Sequence, residues 1–160
     1  MQGTDESDFD RFSWHDDPVY GLALRIGDPA ANDWRSDLVL DIDHIVEWVR
    51  NQDGIRFRVA PATLVFHGVS DLRIDIDWGM RGWQVAPSLP TIDRIERERV
   101  REEEQRIFLD RPYYAWRVAF ASPTGGSIWF GAVGFDLALR RQPTLVDEQR
   151  VPASLRDGGA

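Results

Sequence analysis

The chain has 160 residues, a net charge of -8, 42% apolar residues and no cysteine. Its length suits one domain with a sizeable core, and the missing cysteine excludes disulfides, thiolate metal sites and a Cys nucleophile. The acidic balance argues against non-specific nucleic-acid binding, which requires phosphate neutralisation.

All 19 basic residues are Arg, a bias that fits a GC-rich bacterial genome. No apolar run resembles a signal h-region or is long enough to span a bilayer. The expectation is therefore a cytoplasmic protein that uses neither membrane nor nucleic acid.

Residues 1–11 are polar and acidic, and read as a flexible arm before a single β-rich domain over 12–141. Phe12 and Trp14 are placed to anchor that arm. Asp17-Pro18 marks a turn before an alternating strand, Val19 to Ile26, with Tyr20, Leu22, Leu24 and Ile26 on one face. A turn cluster, Gly27 to Asp33, follows.

In the next stretch Leu38, Leu40, Ile42, Val46 and Trp48 share one parity with His44, while Asp41, Asp43 and Glu47 share the other. Helical spacing also fits Ile42, Ile45, Val46 and Val49. Its β-branched content and the turn Asn51-Gln-Asp-Gly54, leading into Ile55 to Val59, favour a hairpin. Pro61 predicts a break or an edge, because it cannot donate to a ladder.

Leu72, Ile74, Ile76 and Trp78 alternate with Asp71, Arg73, Asp75 and Asp77, a strand with one polar face. Gly79 to Pro90 reads as loop, with a short strand allowed at Trp83 and Val85. Over 91–107, opposite charges at helical spacing and good propensity predict a helix. Two strands joined by a charged turn near Val100 to Glu104 are the alternative.

Tyr114, Trp116, Val118 and Phe120 alternate again. Ser122 to Gly126 joins them to Ser127 to Phe135, a second strand apolar on both faces and so central or covered. A short strand is expected over 136–140, and 142–160 reads as a loosely ordered tail. The fold class is mainly β: an antiparallel meander forming a sandwich or a strongly curved sheet, with at most one or two helices.

Four sets of residues bear on function. Asp41, Asp43, Asp75 and Asp77 would converge on a hard divalent cation if their strands were neighbours. The competing expectation is a charge-paired face in which Arg56, Arg58 and Arg73 neutralise them. His15-Asp16-Asp17 with His44 and His67 could supply a base or metal ligands. His15 is the best placed because Asp16 adjoins it, His44 in its apolar row also reads as a core histidine, and the three histidines have no ligand spacing. No nucleophile elbow and no phosphate loop occurs, so no organic cofactor is expected. Trp14, Trp34, Trp78, Trp83 and Trp129 suit either a core or an interface.

Phe12 to Asp16, Leu40 to Trp48 and Ala60 to Phe66 together resemble a group of uncharacterised bacterial proteins of similar length. The likeness covers most of 12–135 and implies no activity. In size and acidity the chain is also similar to immunity proteins of bacterial toxin systems. The favoured expectation is a non-catalytic binding domain whose partner is another protein, such as a basic one, or a second copy. The alternative is a divalent-metal-binding protein or metal-dependent hydrolase using the strand carboxylates.

Overall fold

A computed structural model describes residues 6–77, 89–101, 104 and 111–156. Two antiparallel sheets pack face to face as a β-sandwich. The first sheet orders β1 (Val19–Ile26), β2 (Ser36–Asn51), β3 (Gly54–His67) and β8 (Gly134–Leu139), with β9 (Thr144–Val146) also paired to β3. The second orders β4 (Ser70–Asp75), β7 (Ser127–Ala132), β6 (Tyr114–Ser122) and β5 (Thr91–Arg99). Among the described residues the only α-helix is one turn, Ala153–Arg156.

The core forms where the apolar parities of the two sheets meet. Leu38, Leu40, Ile42, Leu64 and Phe66 from the first sheet pack with Trp116, Val118, Ile128 and Phe130 from the second. Phe66 touches Trp116 and Phe130 edge-on, with centroids 5.0 and 4.7 Å apart. These interlocked rings fix the sheet separation, and truncating one would cost about 3–5 kcal/mol.

The ambiguous stretch 38–49 is strand. It hairpins into β3 through a two-residue turn closed by Asn51 and Gly54, and the φ of 136° at Gly54 explains the glycine. The hairpin at Ser122 to Gly126 also forms, joining β6 to β7.

Four expectations are corrected. First, residues 91–99 are strand, not helix; Val100 N–H still reaches Tyr113 O, and 102–103 and 105–110 lie outside the described residues. The helix-like spacing of Ile92 and Ile95 has another cause. The register to β6 shifts between Ile92 and Arg94, leaving Asp93 as an extra residue. A bulge of this kind places residues three apart on the same face.

Second, Pro61 does not break β3, although it occupies a local edge within it. It faces Asp43 of β2 within a continuous strand. Its carbonyl accepts from Arg140 N–H on the far side. Its nitrogen therefore points that way too, into the gap between β8, paired to 62–67, and β9, paired to 57–59. No ladder donor is lost there.

Third, Ser127 to Phe135 is two strands. The chain leaves the second sheet after Ala132, Val133 N–H bonds His67 O, and Gly134 starts β8 in the first sheet.

Fourth, single-parity readings fail at two further bulges. Tyr20 is the extra residue between Val19 and Gly21 against β2, and Val46 between Ile45 and Glu47 against β3. Tyr20 is thereby separated from Leu22, and Glu47 leaves the face of Asp41 and Asp43.

The segments on either side of the strands, 6–11 and 144–156, are fastened to the body. A 3-10 turn, Glu6–Arg11, puts Phe9 edge-on to Trp116 in the core. Beyond residue 141, β9 pairs with β3, and Val151 buries against Ile45, Phe57 and Val59 on the outer face of the first sheet. Of the loop expected over 79–90, residues 79–88 lie outside the described residues, as does Trp78.

Candidate functional site

Asp41 and Asp43 alternate with the core-facing residues of β2 and so project from the outer face of the first sheet. The C-terminal segment covers them there. Asp43 is fully buried; its Oδ2 accepts from Val151 N–H at 2.9 Å and from the Tyr20 hydroxyl at 3.1 Å. The Arg156 guanidinium bonds both carboxylates, and Arg140 donates a second cationic contact to Asp41 at 2.6 Å. Arg156 also lies 3.4 Å over the Tyr20 ring, and only 7% of its side chain is exposed.

Two guanidinium groups thus balance two carboxylates. At Asp41 and Asp43 the cations are Arg140 and Arg156. Of the arginines expected from sequence, Arg58 pairs with Glu47 across the β2–β3 hairpin and Arg73 with Asp75, as expected, while Arg56 turns to Asp147. Burial and the neighbouring Asp43 charge push the Tyr20 phenol up to about 12. Chemically the cluster is a clasp. It ties a distant segment to β2 through charge-assisted hydrogen bonds.

Asp75 and Asp77 are not brought to this clasp. Asp75 is on β4 in the opposite sheet, and Asp77 follows that strand's end. The sandwich core stands between them and the outer face of β2. Among the described residues no group of three or more His, Cys, Asp or Glu is arranged to hold a metal.

His44 faces inward, away from Asp41 and Asp43. Its Nδ1 lies 2.7 Å from Oδ2 of Asp17, whose Oδ1 accepts from Ile45 N–H at 2.9 Å. Trp14 and Phe12 pack against the imidazole. Burial raises the Asp17 carboxyl above the ordinary range, opposed by the His44 contact and the Ile45 hydrogen bond. Both side chains are enclosed, so this dyad fastens the N-terminal segment to β2 rather than facing a ligand.

His15 is exposed beside Asp16, 3.0 Å away, while Asp16 also accepts from Gln149. His67 bridges Asp37 and Asp136, with its two ring nitrogens 3.2 and 2.9 Å from their carboxylates. These opposed contacts cannot converge on one ion.

A cleft of about 700 Å3 lies beside the clasp, lined by Tyr20, Arg56, Val146, Arg150, Val151 and Arg156. Its arginines are committed: Arg56 to Asp147, Arg150 to Glu148 and Arg156 to the clasp. Sequence reading missed Tyr20, Arg140 and Arg156, whereas Asp17 stands with His15, Asp16 and His44 among its candidates. Arg156 is 113 residues from Asp43 and could not be found by local spacing.

A different kind of surface occurs at β1. Leu22, Leu24 and Ile26 pair with Leu40, Leu38 and Ser36, so they share the inward parity of β2. Yet they are 41, 46 and 63% exposed. Of the five tryptophans singled out, Trp14 is buried, Trp34 and Trp129 are exposed, and Trp78 and Trp83 are outside the described residues.

No helix among the described residues is long and apolar enough to cross a membrane. Compared with protein-family models, with curated proteins and with solved structures, the chain finds no match.

Proposed function

We propose that the chain is a non-catalytic binding domain that engages protein through the open edge of β1. The observation carrying this reading is the row Leu22, Leu24 and Ile26, apolar and exposed along a strand whose outer edge has no strand partner among the described residues. An extended segment laid on such an edge gains main-chain hydrogen bonds and buries alternate side chains. Asp41 and Asp43, which would otherwise suggest a metal-dependent activity, are already held by Arg140 and Arg156.

The probe is a soluble labelled peptide alternating Leu and Thr, flanked by Arg, with a Pro-substituted copy as control. Fluorescence anisotropy should show saturable binding of the alternating peptide alone, lost in Leu24→Arg. Equal titration curves for wild type and Leu24→Arg would overturn the reading.

A further inference from the structure

We infer that the occupant of the β1 edge is a second copy of the chain, joined β1 to β1 in antiparallel fashion across a two-fold axis. This deepens the binding reading above and rests on it.

The backbone phase defines what the edge offers. Gly27 N–H bonds Arg35 O at 2.8 Å, one step beyond the β1–β2 ladder. By antiparallel alternation Arg25, Ala23 and Gly21 then direct their backbone groups toward β2. Leu22, Leu24 and Ile26 direct theirs outward. At the start of the strand, Val19 N–H is taken by Pro90 O, and Pro18 bridges Thr91. Among the described residues the open part of the edge is therefore 22–26, and it carries the exposed side chains on the same three residues.

That arrangement is self-complementary. With Leu24 opposite Leu24 across the two-fold, Leu22 falls opposite Ile26. All three residues then face partners whose free N–H and C=O groups are in matching phase. The two apolar rows become one continuous strip.

Charge selects the same occupant. β1 has one charged residue, Arg25, and no acid, in a chain of net charge -8. In this register Arg25 meets Ala23 of the other copy, so no like charges face each other. The edge has no carboxylate with which to attract a basic partner. The two outermost strands of the second sheet are built differently. β4 carries Asp71, Arg73 and Asp75 over six residues, and β5 is bulged and densely charged. Charges and bulges are the usual protection against edge pairing, and within 22–26 only Arg25 offers any.

Sedimentation velocity across a concentration series of the full chain tests the inference. A concentration-dependent dimer is expected, reduced at least tenfold in association constant by Leu24→Arg and by Leu22→Arg. Raising salt until the Debye length is ~3 Å should preserve or strengthen it, because two acidic bodies repel each other less. Hydrogen exchange supplies a readout without substitution. The amides of Leu22, Leu24 and Ile26 should gain protection as concentration rises, while that of Ala23, bonded to β2, stays constant.

A strict monomer at every concentration would overturn the inference, as would a dimer indifferent to both substitutions. A monomer that still binds the alternating peptide removes only the second copy and leaves the binding reading standing. A monomer that binds no peptide removes both.

Discussion

β1 and β5 meet at the Pro18–Thr91 bridge, and each is the outermost strand of its sheet among the described residues. β5, nine residues long, alternates acids and arginines: Arg94 pairs with Asp93 and Glu96, and Arg117 of β6 also reaches Glu96. β1 presents leucine and isoleucine to water along 22–26. An edge strand exposes unpaired backbone groups whatever its side chains, so the side chains determine whether another chain can approach. Here one edge is guarded and the other left apolar. The contrast locates the binding surface more sharply than any of the acidic residues does.

The largest way to break the comparison is to unfasten β1 from the body. Asp43 accepts from Tyr20 of β1 and bonds Arg156 in a buried setting. Asp43→Ala should cost about 3–5 kcal/mol, since it strands a buried guanidinium. Denaturant unfolding would measure this, and Asp43→Asn, which keeps one acceptor oxygen, should cost less.

Next in size is the reverse exchange at β5. Arg94→Thr with Glu96→Thr removes exposed ion pairs worth at most about 1 kcal/mol each, so monomer stability should hardly change. Self-association should rise, because a second unguarded edge is created. Light scattering that showed no increase would mean charge is not what guards β5.

A smaller effect is expected from Tyr20. Its pKa is raised from 10.0 to about 12 in the folded state. A group raised on folding contributes its full stabilisation below the unfolded value and loses it as pH climbs through the folded one. Stability should therefore decline between pH 10 and 12, and Tyr20→Phe should flatten that limb. With no lysine or cysteine and only three tyrosines, few other groups titrate there. Thermal unfolding across this window, with tyrosinate absorbance, would reveal it.

The smallest expected effect is that of divalent ions. A specific ion at 100 times its dissociation constant would add about 2.7 kcal/mol. Mg2+, Ca2+, Mn2+ and Zn2+ are expected to add nothing, with or without EDTA, because Asp41 and Asp43 hold arginines. A specific rise in Tm would return attention from β1 to the outer face.

Much of the sandwich is written in local patterns. The β-branched run at 38–49, the Asn51 to Gly54 turn and the rows Leu38-Leu40-Ile42 and Tyr114-Trp116-Val118-Phe120 predict their strands and inward faces. The candidate site was less legible. The shared parity of Asp41 and Asp43 is visible in sequence, as is the inward direction of His44. The arginines are not: Arg140 and Arg156 reach the carboxylates only through the fold.

The sequence by itself determined a β-rich domain, its hairpins and most of its core, because side-chain alternation and turn chemistry act over a few residues. Tertiary structure decided the bulges at Tyr20, Val46 and Asp93, the split of 127–135 between sheets and the C-terminal clasp. It also decided that Leu22, Leu24 and Ile26 stay uncovered. Each of these depends on which strand lies opposite, and local periodicity cannot encode that choice.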